Sequence, residues 1–219
     1  MLITRRLQSD PALLERLDPG WSHPAYDDLL SRCALPLVEF GQFITHITYG
    51  PIVTGRRPPV CEEGVVVVHQ GQVAATGVDP RGATVVAPGS DWDRDDARLQ
   101  PGDLALPRSG VASVATNRVA VFLDSYPAVV GSFVDRIALC DLDPCYALVC
   151  LKSEVVWSQI HRAINGVGTP NISFDEVRAL RLPMVREPEQ AEFRAGYLER
   201  VHAHHRQWLA GDEGAGELT

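Results

Sequence analysis

Lysine is almost missing from this chain: Lys152 is the only one in 219 residues. Whatever basic surface exists is therefore built from arginine, whose flat guanidinium can pair in bidentate fashion with carboxylates, phosphates or base edges. The shortage also removes a metal-nuclease site of the Glu-x-Lys kind, in which a lysine helps polarise water beside the ion, since the single lysine sits in "LKSE". Long apolar runs are missing as well. Nothing approaches the roughly 18 residues that a membrane span needs, and the start "MLITRRLQSDPALLERL" has no apolar core or small-residue cleavage site. No membrane association and a cytoplasmic location are expected. The five cysteines lack paired spacing, which argues for reduced thiols and against a disulfide framework. Cys140, Cys145 and Cys150 are evenly spaced without a C-x-x-C form, and buried apolar packing is expected of them in place of zinc.

Catalytic signatures are absent too. There is no G-x-G-x-x-G with an acidic ribose partner, no Walker loop, no G-x-S-x-G elbow and no Asn/Asp-Pro-Pro-aromatic loop to hold a flipped adenine. No catalytic residue, no metal and no cofactor are expected. The "HAHH" at 202–205 is the best metal candidate, but acidic ligands are few nearby and a solvated helix face is expected. No internal repeat appears at any period, which removes solenoids and propellers. A net charge of −8 disfavours indiscriminate binding to polyanions. A local basic face remains open, because much of the acid is concentrated in "DWDRDD" at 91–96 and in the tail at 211–219.

What is present reads as helices, then strands, then helices. "SDPALLERL" and "HPAYDDLLSRC" each place a proline in a first turn before leucines at helical spacing. "PLVEFGQFITHITYG" turns to β-branched and aromatic residues, and "GVVVVHQGQV" reads as a buried strand. From 99 to 140, "GDLALPRSG", "NRVAVFL" and "GSFVDRIALC" form the sheet-building centre. "DPCYALVCLKS" and "SEVVWSQIHRAI" follow as two helices, the second capped by Ser153. "LRLPMV" is a brief extended piece, and a last helix over 188–209 would be roughly 30 Å long. The order predicts an α+β domain with an appended helix and not a doubly wound sheet.

Two loops carry binding potential. In "GVGTPNISFDEVRAL", Ser173 and Glu176 form a capping box, so "GVGTPN" arrives at a helix N-terminus whose free N–H groups suit a phosphate. Gly166 and Gly168 permit close approach, while Thr169 and Asn171 offer hydrogen bonds to phosphates or base edges. An ordinary loop leading into a helix fits the same residues. In "LQPGDLALPRSG", Pro107 ends a short strand and Arg108, Ser109 and Gly110 follow. Arginine is the preferred reader of guanine O6/N7 and of phosphate, although a plain turn is also consistent.

Taken together, "ERLDPGWSHPAYDDLL", "YGPIVTG", "EGVVVV", "LQPGDLALPRSG", "DLDPCYALVCLKSE" and "INGVGTPNISFDEVRALRLPMV" resemble, in order, the target recognition domain of the DNA-specificity (S) subunits of type I restriction-modification systems. The resemblance covers about residues 15–205, and "EPEQAEFRAGYLERVHAHHRQWL" stands where that family has its spacer helix. It implies a target recognition domain over 1–186 with a twisted, mostly antiparallel sheet flanked by short helices, a C-terminal spacer and dimerisation helix over 187–210, and an acidic flexible tail over 211–219. It also implies a non-catalytic module that grips a short half-site in double-stranded DNA, while a separate adenine methyltransferase subunit flips the base and a restriction subunit can join. By position the DNA-facing residues would be Arg108, Ser109, Gly168, Thr169 and Asn171, with Tyr49, Arg56, Arg57 and Gln70 beside them.

Complete S subunits carry two recognition domains joined by long helices, whereas this sequence has one domain and one shorter helix. Either it is a half-subunit that dimerises through 188–209, or it is a truncated or orphan member. Phe193, Tyr197, Val201 and Trp208 form a stripe on that helix, expected to face a partner. A homodimer would read two inverted half-sites. Two other readings stand beside this one: the recognition fragment of a split methyltransferase or nuclease, and an interaction protein that kept the fold but lost DNA binding, for which the acidic segment speaks.

Overall fold

The structure, a computed structural model, describes residues 24–53, 60–74, 76–110, 116–164 and 171–209, the side chains of 24–26 and 203–209 excepted. In chain order the elements are α1 (Pro24–Arg32), β1 (Leu37–Glu39), β2 (Ile44–Tyr49), β3 (Val65–Val68), β4 (Val73–Ala74), β5 (Gly77–Val78), β6 (Thr84–Val86), β7 (Leu104–Pro107) and β8 (Ala120–Val121). There follow β9 (Ala128–Val130), β10 (Val134–Leu139), α2 (Pro144–Lys152), α3 (Glu154–Ala163), α4 (Phe174–Arg178), β11 (Arg181–Pro183) and α5 (Glu187–Leu209). This is the expected α+β order. The expected helix in "SDPALLERL" and the acidic tail lie outside the described residues.

The strands are divided among four small sheets: β2-β10-β7-β8, β6-β3-β9, β1-β11 and β4-β5. All pairings are antiparallel except β3 with β9, where Val66, Val67 and Val68 run parallel to Ala128, Val129 and Val130. β9 was not legible in the sequence, because three apolar residues between Pro127 and Gly131 are too few for an alternation to show.

The four-stranded sheet is buried on both faces, and side-chain alternation along each strand divides the interior in two. Leu104, Leu106, Val121 and Ile137 meet α2, α3 and α5 through Tyr146, Leu148, Leu151, Ile160, Tyr197 and Val201. Ala105, Ala120 and Val134 point the other way, onto Val65, Val67, Phe122 and Val129. Small residues on this second face let the β6-β3-β9 sheet approach closely. Cys145 and Cys150 are buried as expected, but Cys140 is exposed, because β10 has already ended and the chain is turning toward α2.

Capping follows the sequence closely. The Asp143 carboxylate accepts from the N–H groups of Cys145 and Tyr146 and so starts α2. Ser173 and Glu176 form the reciprocal pair that starts α4. Ser173→Ala is expected to cost about 1 kcal/mol, read as a lower denaturation midpoint with an unchanged slope.

Candidate nucleic-acid interface

β7 stops at Pro107, and the chain bends away at Arg108, whose N–H donates to the Phe133 carbonyl (3.0 Å) and whose carbonyl accepts from the Ile172 N–H (3.2 Å). Ser109 then forms an antiparallel bridge with Asn171. The two segments singled out in the sequence are thus fastened side by side, although 62 positions apart in number, 171 less 109. Gln70 joins them from the turn after β3: its side-chain amide donates to the Ser109 carbonyl. The Gln70 carbonyl in turn accepts from Arg118 at 3.4 Å. Phe133, on the turn between β9 and β10, is 58% exposed beside this junction.

The Arg108 side chain lies over a pair of aromatic rings. Its guanidinium carbon is 4.8 Å from the centre of the Tyr49 ring and 5.1 Å from that of Phe174. The two rings are 5.8 Å apart and tilted. Such contacts hold a cation by the ring quadrupoles and leave the edges of its plane available for hydrogen bonding. Tyr49 is the last residue of β2, and Phe174 is the first of α4, so the capping box at Ser173 sets where this ring stands.

Beneath the guanidinium is Asp135. It pairs with Tyr49 on one side and Leu106 on the other, in the middle of the sheet. Its carboxylate is fully buried, neither oxygen has a hydrogen-bond partner, and the Arg108 Nε is 3.7 Å from Oδ1. That separation is an ion pair without a hydrogen bond. Burial pushes the Asp135 carboxyl up to about 7, and the charge of Arg108 pulls it the other way.

Of the residues expected at a DNA surface, the structure brings together Tyr49, Gln70, Arg108, Ser109 and Asn171. Arg56, Arg57, Gly168 and Thr169 lie outside the described residues. Three participants were missed: Phe133, Phe174 and Asp135. Asp135 had a readable signal, since in "FVDRIAL" it shares the buried phase with Ile137.

The stripe expected on the last helix divides. Tyr197 and Val201 are turned into their own domain, with 5% and 1% exposure. Phe193 is 44% exposed, with its ring near Tyr146, and the Trp208 side chain lies outside the described residues. Val201→Ala should therefore cost roughly 2 kcal/mol of stability and leave the sedimentation behaviour of the folded protein unchanged. Within the acidic stretch at 91–96, Asp93 is buried while Asp91, Asp95 and Asp96 are exposed. Asp93 accepts from Arg98 and from the Gly89 N–H, while Asp96 pairs with Arg94.

Chemically, the arrangement is a rigid platform with one arginine held by its face and several polar edges around it. Among the described residues no group of three or more His, Cys, Asp or Glu is placed to hold a metal ion. No described helix is long and apolar enough to cross a membrane.

A mixed α+β domain of this design has counterparts among solved structures. The HsdS subunit from Thermoanaerobacter tengcongensis aligns at TM-score 0.51 and 15% identity over 94% of this chain and 50% of its own. A chain from a structure of complex assembly and conformational transition of the type I R-M system aligns at TM-score 0.52 and 15% identity, over 95% of this chain and 54% of its own. The type I restriction-modification S subunit from M. genitalium aligns at TM-score 0.48 and 14% identity over 73% of this chain. The fold is that of type I restriction-modification S subunits, and the chain spans about half the length of the HsdS subunit it matches. No protein-family model matches the chain, and no curated protein does.

Proposed function

We propose that this chain is a non-catalytic DNA-recognition module that binds a short duplex half-site and presents it to an adenine methyltransferase partner. The observation that carries the reading is the convergence of Arg108, Ser109, Gln70, Tyr49 and Asn171 at one end of the central sheet. Four separate segments contribute to it. The guanidinium lies over the two rings, and its terminal amino groups have no acceptor among the described residues. A pre-oriented fork of this kind suits guanine O6/N7 or a phosphate. The S-subunit fold supports the same reading, and a methyltransferase, with a restriction subunit where one is present, is the partner it suggests. Residues 1–186 would form the recognition domain and 187–210 the helix through which a partner or second copy docks, with Phe193 as the described apolar residue available for it.

In the acidic segment Asp93 and Asp96 are paired with Arg98 and Arg94, while Asp91 and Asp95 face solvent. Selection of bound duplexes from a random library by the purified protein tests the proposal. Enrichment of one short motif is expected. Recovery of a pool no different from the input, at low salt, would count against it.

A further inference from the structure

Asp135 is the least comfortable group in the described structure. A carboxylate fully removed from water, with no hydrogen bond to either oxygen, has among the described residues a single source of compensation in the Arg108 cation 3.7 Å away. The same cation is the group offered to a ligand, so the two roles compete.

Resting on the recognition reading above, we propose that Asp135 is the positioning residue for Arg108: it draws the guanidinium onto the Tyr49–Phe174 rings in the free protein, and when nucleic acid engages Arg108 it takes up one proton from solvent. The balance is simple. The carboxylate becomes a carboxylic acid, no other bond forms or breaks, and Arg108 keeps its own proton and charge.

Electrostatics gives the sign. A polyanion that approaches Arg108 adds negative potential at Asp135 and shares the only cation that offsets its charge. Both effects favour the protonated form in the complex. The ionised carboxylate already titrates near neutrality in the free protein, at about 7. Below that value the proton is present before binding and costs nothing. Above it the proton must be acquired, and affinity falls as pH rises, by up to about tenfold per pH unit for one proton.

On β7 and the turn after it the charged group among the described residues is Arg108; on β2 Tyr49 is paired with Asp135, while His46 pairs with Ala138 and alternates to the opposite face. On β10 itself Arg136 turns to the opposite face and pairs with Asp103 at 2.6 Å. From α4, Phe174 faces the site, while Glu176 is engaged with Ser173, and Arg178 donates to the Ile44 carbonyl. Beyond β3 stands His69, which burial shifts downward. Among the described residues Arg108 is the charge that acts on the Asp135 carboxyl.

The test is the affinity for the selected duplex between pH 6 and pH 9, for the unaltered protein and for Asp135→Asn. The unaltered protein should weaken progressively above about pH 7. Asp135→Asn, which keeps His69 and every other titrating group, should bind at pH 8.5 about as tightly as at pH 6. Calorimetry of the unaltered protein in two buffers of different ionisation heat should show net proton uptake at pH 8, which needs no variant. A second readout does not involve DNA: because the folded carboxyl titrates above its unfolded value, its stabilising share is lost as pH rises through about 7. Asp135→Asn should therefore raise the thermal midpoint relative to the unaltered protein at pH 8 and much less at pH 5. Binding without a pH slope, or a slope retained in Asp135→Asn, overturns the role of Asp135. Absence of binding at both pH 6 and pH 8.5 instead overturns the recognition reading.

Discussion

Arg108→Ala is expected to weaken binding to the selected duplex by about 1–3 kcal/mol, a loss of roughly 5- to 150-fold, and to flatten discrimination at one base position. Affinity for unrelated duplex should change far less. Pro107 ends β7 and turns the chain so that the guanidinium comes over Tyr49 and Phe174. A side chain held this way loses little freedom on binding, so its hydrogen bonds retain more of their value. Arg108→Lys is expected not to restore specificity, since an ammonium has neither the planar fork nor the stacking face. Titration of both variants against matched and mismatched duplexes by fluorescence anisotropy separates the cases. An even loss across all sequences would make Arg108 a phosphate contact. No loss in either would remove it from the interface.

Gly50→Ala is expected to be the most damaging single substitution near the site. Gly50 follows Tyr49, and its N–H donates to the Gly131 carbonyl at 3.2 Å. A methyl group there would stand 1.7 Å from the Val130 carbonyl oxygen and 2.7 Å from the Gly131 carbonyl carbon, both backbone atoms that no side-chain rotation can move. The end of β2 would have to move away from the end of β9 and the turn that leads into β10. A loss of about 4 kcal/mol follows, which in a domain of this size corresponds to a fall of roughly 10 °C in Tm. Differential scanning calorimetry checks it. Gly71→Ala is the matched control, because nothing lies within 4 Å of the position its methyl would take.

Much of the fold was legible because local chemistry and long-range packing agree. The helices led by Pro24 and Pro144, the Ser153 and Ser173 caps and the strands through Leu104 and Val134 all occur where the sequence placed them. What was not legible depends on distance along the chain. The parallel partner of β3 is a three-residue strand some 60 positions on, and its apolar run resembles many others. The stripe of Phe193, Tyr197 and Val201 has the right spacing for a helix pair, but spacing does not say which surface comes to meet it; here Tyr197 and Val201 meet their own domain.

The candidate site shows the same division. Arg108, Ser109 and Asn171 were readable as loop residues able to bind, yet their meeting through the Ser109–Asn171 bridge was not. Tyr49 and Gln70 entered by position in the family resemblance alone. Asp135 was legible only as an oddity, an acid in the buried phase of an apolar strand. Its pairing with Arg108 requires β10 to lie beside β7 in one specific register, with Asp135 opposite Leu106. No short stretch of sequence encodes that register.

Adenine-methylation sequencing of the source genome with and without this gene tests the central claim most directly. Loss of methylation at one short motif, with other motifs untouched, is the predicted result, and a motif of two inverted identical halves would indicate that two copies act together. An unchanged methylation pattern, in cells where the protein is expressed with its methyltransferase, would contradict the account.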